Sequence, residues 1–285
     1  MASSSLPQLK NNSLANTLSY FARYDYPLTY TEIRRWSSKP LPLAPSPGQR
    51  HEQSENLGEG WGEVQKKDGF YFLSGYQNSI HLRKQRAKFS KPKWLIARRV
   101  GDKLSKIPFI QAIFVTGALA MNNCPADDDI DLMIITSPHT LWLTRLLVYL
   151  NIHSFRRKPG VKIAPGLICD NLYLDANSLR LTANNLYTAH EILQAKCIFD
   201  RGGTHYGFLT ANSWAKDYLP VAYSESLKNL KFNNLDLISN LKFKISNLLF
   251  PINLLLFWLQ YLYMKPKMTT ERVGLGYAFF HPQKK

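Results

Sequence analysis

Two carboxylates stand two positions apart at the start of an apolar run, in the stretch "DDDIDLMIIT" at 127–136. Because side chains alternate along a strand, Asp129 and Asp131 would project from one face, about 7 Å apart, while the apolar residues between them point into the core. Two carboxylates this close repel each other, and a divalent cation between them removes that cost. Mg²⁺ prefers oxygen ligands and commonly uses one or two carboxylates together with phosphates and water. The pair therefore predicts a magnesium site.

The neighbouring segments indicate the elements that would hold this pair. The run "FIQAIFVTG" at 109–117 predicts a strand that ends at Gly117, and "GLICDNLYLD" at 166–175 predicts another. Between them, Ser137 and Pro138 are typical of a helix start, with a capping residue followed by proline at the first helical position. The order strand, helix, strand predicts an α/β fold with a mixed sheet.

These residues also carry a family resemblance. An apolar strand, a glycine followed by a small residue, about ten further residues and then Asp-apolar-Asp-apolar resembles the nucleotidyltransferase domain of the DNA polymerase beta superfamily. The resemblance covers about 90–200 and implies that Gly117 and Ala118 form a turn that binds the phosphates of a nucleotide. It also implies that Asp129 and Asp131 are catalytic metal ligands. The family usually has serine where this chain has Ala118, so phosphate binding would depend on backbone N–H groups.

The resemblance further implies a third carboxylate on a neighbouring strand. Asp170 is the candidate, as a catalytic residue and metal ligand, because it is expected to share a strand face with Ile168, Leu172 and Leu174, where an unpaired aspartate is costly. Asp175 is the fallback, although it lies near the strand end, where aspartates of turns are common.

The chemistry implied is nucleotidyl transfer. Two Mg²⁺ ions, or Mn²⁺, would orient a nucleoside triphosphate so that an acceptor receives the nucleoside monophosphate and pyrophosphate is released. ATP is one such triphosphate, and the acceptor is unidentified. The alternative is a catalytically inactive nucleic-acid-binding or regulatory protein that retains the nucleotidyltransferase fold. A membrane-associated scaffold is a third possibility, based on the C-terminal part alone.

The chain is predicted to contain three parts. Residues 1–82 are expected to form a winged-helix-like domain, or a simple helical platform, in which Thr29 and Glu32 form a helix capping box. The segment 39–60, rich in proline, glycine and polar residues, is predicted to be a disordered insertion. Residues 83–200 would be the nucleotidyltransferase domain, and 201–285 a helical extension. The chain also resembles a bacterial and archaeal family through "DYPLT" at 25–29, "NLYTAHEILQ" at 185–194 and "FFHP" at 279–282.

Charge and composition indicate the class of partner. The 285 residues include 36 lysines and arginines against 20 aspartates and glutamates, a net charge of +16 that favours a polyanion. The segment 83–106 contains ten basic residues and one acid, Asp102, which predicts either a nucleic-acid contact or a solvated helix face. The three cysteines have no CxxC spacing, and the N-terminus lacks the pattern of a secretory signal, so a cytoplasmic location is expected.

The segment 245–264 is twenty residues long and carries no charge. That length would span a bilayer, but Asn253 and Gln260 dilute its apolar character and Pro251 interrupts it. We expect a helix packed on the catalytic domain, with interfacial membrane attachment as the alternative.

Overall fold

The structure, a computed structural model, describes residues 13–39, 64–158, 161, 163–230 and 248–280. Its helices and strands are connected in a mixed α/β arrangement around a mixed sheet, which confirms the predicted fold class at that level. The predicted disordered insertion at 39–60 lies, apart from Lys39, outside the described residues.

The N-terminal elements form a small sheet with two helices. Helix α1 (Ser13–Ala22) precedes β1 (Leu28–Thr29) and α2 (Tyr30–Trp36), and the strands β2 (Val64–Lys67) and β3 (Phe70–Leu73) complete an antiparallel sheet in the order β1-β3-β2. The capping box predicted for α2 is confirmed. The Glu32 amide donates to the Thr29 hydroxyl over 3.3 Å, and the Thr29 amide donates to the Glu32 carboxylate over 2.8 Å.

Helix α3 (Ser79–Leu104) contains most of the basic segment. Its inner side buries Ala97, Val100 and Leu104, while Leu95 is exposed. The basic residues divide between the two sides of the helix. Exposed ones include Lys88, Lys91, Arg98 and Arg99, whereas Arg83 pairs with Glu32 of α2 at 2.7 Å.

A six-stranded sheet follows, with the strand order β7-β4-β5-β6-β9-β8. Its central strands β5 and β6 are parallel, whereas β4 is antiparallel to both β5 and β7, and β9 is antiparallel to both β6 and β8. The strands are β4 (Ile110–Val115), β5 (Ile130–Thr136), β6 (Ile168–Asp175), β7 (Lys196–Asp200), β8 (Arg272–Val273) and β9 (Tyr277–Phe279).

Helix α5 (Leu141–Ile152) connects β5 to β6, and a four-residue helix α4 (Gly117–Ala120) follows β4. The predicted start of α5 at Ser137 and Pro138 is wrong. His139 has a φ of +59°, and its amide donates to the carboxylate of Asp175 over 2.6 Å. Because the backbone at His139 is not in a helical conformation, the helix begins only at Leu141.

Within the described residues, the further α-helices are α6 (Leu186–Gln194), α7 (Thr204–Ala211), α8 (Pro220–Lys228) and α9 (Phe250–Met264). The part of the chain predicted to be a helical extension also supplies β8 and β9 to the main sheet. Helix α9 covers most of the predicted apolar helix, and among the described residues no helix is both long and apolar enough to span a bilayer.

Hydrophobic residues pack on both faces of the main sheet. One face, which includes Phe114 and Met133, packs with residues of α1, α2, α6, α7 and α8. The other face, which includes Ile113 and Leu132, packs with residues of α3, α5 and α9. Because β4, β5 and β6 are covered on both sides, they form a rigid support for the residues at their ends.

Candidate functional site

The structure brings Asp129 and Asp131 together at the start of β5. One carboxylate oxygen of each residue and the Sγ atom of Cys169 all lie within 4.8 Å of one another. Asp129 is 7% exposed, and the other two residues are partly buried. The group lies where β5 and β6 begin side by side.

The register of the two parallel strands explains why Cys169 joins the pair. Asp131 pairs with Cys169 across the sheet, so the two side chains lie on the same side. Asn171, two positions further along β6, donates its side-chain amide to Asp131 Oδ1 over 2.6 Å. Neither residue was predicted from the sequence, because the residues of a strand do not determine its register with another strand almost forty positions away.

Asp170 lies away from this group. The side chain is 2% exposed, accepts a hydrogen bond from Arg156 Nε at one oxygen, and accepts another from the Tyr173 hydroxyl at the other over 2.8 Å. The expected face shared with Leu172 and Leu174 is wrong. A register shift between the Asp131–Cys169 and Met133–Leu172 pairs adds a residue to β6, so Asp170 faces the same side as Tyr173, and Leu174 faces the other.

Asp175, the fallback for the third carboxylate, stabilises a turn. Its two oxygens accept the backbone N–H groups of His139, over 2.6 Å, and of Asn177, over 2.8 Å. This is the behaviour expected of an aspartate that closes a turn at a strand end.

The surroundings of the pair disfavour a negative charge on Asp131. Burial, together with the negative charges of Asp129 and Asp128, raises the pKa of Asp131 to about 8. Burial, followed by the negative charges of Asp131, Asp129 and Asp170, also raises the pKa of the Cys169 thiol. A cation bound here would therefore remove an electrostatic penalty that the protein otherwise retains.

Arg157 is the positive group that contacts the pair directly. Its Nη1 donates to Asp129 Oδ2 over 2.6 Å, and its side chain is 30% exposed. The sequence shows Arg156 and Arg157 as a basic cluster after α5, but only the folded chain separates their roles. Arg157 pairs with Asp129, whereas Arg156 pairs with Asp170 on the other side of the sheet.

Gly117 lies directly against Asp131. It has a φ of +62°, and a β-carbon at this position would stand 2.6 Å from Asp131 Oδ2. The amide of Thr116 donates to the backbone carbonyl of Asp131 over 3.0 Å, which fixes the turn to β5. Ala118 follows within α4 and is partly buried. Of the two positions predicted to bind phosphate, Gly117 thus lies next to the carboxylate pair, and Ala118 follows it in the chain.

A buried lysine holds the loop that leads into β5. Lys93 of α3 is 5% exposed, and its Nζ donates to the carbonyl of Asp128 over 2.8 Å and lies 3.1 Å from Cys124 Sγ. One member of the basic segment 83–106 therefore faces inward, where it positions the residues that precede Asp129.

Glu191 of α6 is a further carboxylate whose charge affects Asp131. Burial raises its pKa to about 7, and its charge is among the causes that raise the pKa of Asp131. Helix α6 begins at the Asn185 cap, whose side chain accepts the Thr188 amide over 2.8 Å. Nothing in the sequence indicated that Glu191 would lie close enough to raise the pKa of Asp131.

The donor set fits Mg²⁺ or Mn²⁺. Asp129 and Asp131 provide oxygen ligands, and both ions are commonly held by a few carboxylates with water and phosphate oxygens. The Cys169 thiol is a softer donor than Mg²⁺ prefers, so the two aspartates would provide the protein ligands to Mg²⁺.

Comparisons with protein-family models, with curated proteins and with solved structures find no significant match. The resemblance to the DNA polymerase beta superfamily therefore stays a prediction, and function is argued from the site itself.

Proposed function

We propose that this protein is a Mg²⁺-dependent nucleotidyltransferase that transfers a nucleoside monophosphate from a nucleoside triphosphate to an acceptor and releases pyrophosphate. The observation that carries the proposal is the contact between the Gly117 turn and Asp131, which lies beside Asp129. A carboxylate pair beside a tight glycine turn combines a cation site with a place where backbone N–H groups approach phosphate oxygens.

Each group has a defined task in this reaction. Asp129 and Asp131 would hold Mg²⁺. When bound, Mg²⁺ would neutralise charge on the triphosphate and favour deprotonation of the attacking hydroxyl. The Gly117 turn would orient the phosphates through the backbone, since Ala118 has no hydroxyl. Arg157, which pairs with Asp129, is partly exposed and would be available to contact an incoming phosphate.

The bond changes balance without a further reactant. The acceptor hydroxyl oxygen forms a bond to the α-phosphorus, and the bond from that phosphorus to the bridging oxygen of the β-phosphate breaks. Pyrophosphate leaves, and the hydroxyl proton passes to solvent. The reaction depends on positioning and charge stabilisation, which a rigid sheet edge supplies.

The finer fold assignment belongs to the same proposal. In a polymerase-beta-like domain, β4 and β5 would be the strands that flank the glycine turn and the carboxylates, and β6 their parallel neighbour. At the N-terminus, the order α1-β1-α2 followed by the β2–β3 hairpin, with β1 paired to β3, supports a winged-helix-like unit.

The test is nucleotidyl transfer with isosteric variants. Wild type and Asp129→Asn/Asp131→Asn would be incubated with each α-labelled nucleoside triphosphate, Mg²⁺ or Mn²⁺ and a cell extract that supplies acceptors. We expect labelled product and pyrophosphate from wild type and neither from the double variant. Equal labelling by both proteins, or nucleotide binding without any transfer by wild type, would contradict the proposal.

A second candidate function rests on a separate observation, the exposed basic residues Lys88, Lys91, Arg98 and Arg99 of α3. They favour a nucleic-acid-binding protein without turnover, because clustered cations bind phosphate backbones. In that case nucleic-acid affinity would be unchanged by Asp129→Asn/Asp131→Asn and would fall steeply with salt. If replacing these four residues with glutamine leaves the affinity unchanged, this second function is wrong.

A further inference from the structure

Helix α9 has two faces with different environments. Its inner face joins the fold through Asn253, which is 1% exposed and accepts the backbone N–H groups of Trp142, over 2.8 Å, and of Leu143, over 3.2 Å. One turn from the C-terminal end, Gln260 donates to the Trp142 carbonyl over 2.9 Å. These polar contacts to α5 fix the rotation of α9 about its axis.

The outer face of α9 is an apolar stripe of six large side chains. Its members are between 48% and 70% exposed, and they are Ile252, Leu255, Trp258, Leu259, Leu262 and Tyr263. The spacing of three and four positions places them on one side of the helix. Single exposed apolar residues are ordinary on proteins, but a continuous stripe of this size marks an interaction surface.

The charge of the surrounding chain indicates the occupant. From Leu237 to Thr270 the sequence contains four lysines and no aspartate or glutamate. Two of these lysines, Lys265 and Lys267, follow α9 directly and are exposed, and Lys267 Nζ lies 4.0 Å from the centre of the Tyr263 ring. The apolar stripe thus ends in a cationic edge, which complements an anionic partner.

A second copy of the chain fits this surface poorly. Each copy carries a net charge of +16, and a symmetric contact between two stripes would bring the same lysines together with no acid from 237–270 between them. A lipid surface offers both an apolar layer and anionic headgroups. Trp258 and Tyr263 are also the residue types that prefer the boundary between hydrocarbon and water.

We propose that the apolar stripe of α9 binds in the plane of an anionic phospholipid bilayer, with Lys265 and Lys267 on the headgroups. A helix of 15 residues is about 22 Å long, too short to cross the hydrocarbon layer but suited to lie along its surface. The proposal uses residues outside the Asp129 and Asp131 site, so it stands or fails independently of the nucleotidyltransferase activity.

The test is co-sedimentation of the full-length chain with phosphatidylcholine vesicles that contain or lack phosphatidylserine. We expect binding to the phosphatidylserine vesicles that weakens with salt. Leu255→Asn/Leu259→Asn is expected to weaken that binding at least about tenfold, because each leucine loses the transfer of its side chain into the apolar layer. Lys265→Gln/Lys267→Gln should weaken binding to the anionic vesicles severalfold.

The matched control replaces equally exposed leucines elsewhere. Leu95 of α3 and Leu150 of α5 are each 58% exposed, close to the 60% and 57% of Leu255 and Leu259. Leu95→Asn/Leu150→Asn should bind vesicles like wild type, and circular dichroism melting should show that both double variants fold. The proposal is overturned if wild type does not bind the phosphatidylserine vesicles, or if Leu255→Asn/Leu259→Asn binds them as tightly as Leu95→Asn/Leu150→Asn. It is also overturned if Leu255→Asn/Leu259→Asn loses only self-association, measured by light scattering.

Discussion

The Asp131 carboxylate occupies the space beside Gly117 that a side chain would need: Oδ2 stands 2.6 Å from the place of the missing β-carbon. The glycine is therefore required both for its φ of +62° and for the room it leaves. Since Asp131 cannot move away without losing its contact with Asn171, the turn and the carboxylate behave as one unit.

Gly117→Ala tests this unit. The left-handed conformation alone costs an alanine about 1 to 2 kcal/mol, and the clash with Asp131 should add about 1 to 3 kcal/mol. Gly69→Ala is the matched control, because Gly69 has a φ of +78° and a β-carbon there would meet nothing within 4 Å. Urea unfolding of both variants should show the larger loss for Gly117→Ala. Equal losses would mean that the contact with Asp131 is unimportant.

Asp170→Asn separates a structural role from metal binding. The change removes the negative partner of the mostly buried Arg156 and should lower the free energy of unfolding by about 3 kcal/mol. Because Asp170 lies away from the carboxylate pair, Mn²⁺ affinity measured by calorimetry should be unchanged, whereas Asp131→Asn should abolish it. A folded Asp170→Asn protein that no longer binds Mn²⁺ would restore Asp170 as the third ligand.

Arg157→Gln tests competition at Asp129. The ion pair at 2.6 Å must open before Asp129 can serve a metal, so removing the guanidinium should tighten Mn²⁺ binding about two- to fivefold. Lys158→Gln is the control for a general loss of positive charge, since Lys158 is exposed and adjacent in sequence. If both variants change the affinity equally, the effect is only one of net charge.

Lys93→Met tests the anchor of the loop before β5. The variant leaves the carbonyl of Asp128 without its 2.8 Å donor, and we expect a loss of about 3 kcal/mol in unfolding free energy, together with weaker Mn²⁺ binding. Lys91→Met, two positions away and exposed, should stay within about 0.5 kcal/mol of wild type. Similar losses for the two variants would contradict an anchoring role.

His190 makes stability depend on pH. The ring is 2% exposed and stacks on Tyr20 at 3.9 Å, and burial lowers the pKa of His190 to about 3. The unfolded chain takes up this proton near pH 6.5, so the contribution to stability is complete above pH 6.5 and is lost as the pH falls toward 3. One such proton changes the free energy of unfolding by up to about 1.4 kcal/mol per pH unit.

Urea unfolding between pH 7 and pH 4 measures this dependence. His190→Gln should reduce the slope by up to one proton, while His81→Gln, at an exposed position of α3, should keep the wild-type profile. Glu191, whose pKa burial raises to about 7, is present in all three proteins and cancels in the comparison. An unchanged slope in His190→Gln would show that other groups cause the acid sensitivity.

Local patterns in the sequence were sufficient for several features. The Thr29–Glu32 capping box, the strand that carries Asp131 and an apolar helix near the C-terminus all depend on residues within a few positions of one another. Such interactions are short-range, so the order of residue types determines them.

The composition of the candidate site was decided by tertiary structure. The sequence suggested Asp129, Asp131 and Gly117 as site residues, with Asp170 as the third carboxylate. In the structure the residue beside the pair is Cys169, because strand register and one extra residue in β6 determine which side chains face Asp131. Likewise, the basic segment did not reveal that Lys93 turns inward. Alternation along a strand is a property of the sequence, whereas the alignment of one strand with another exists only after the chain has folded.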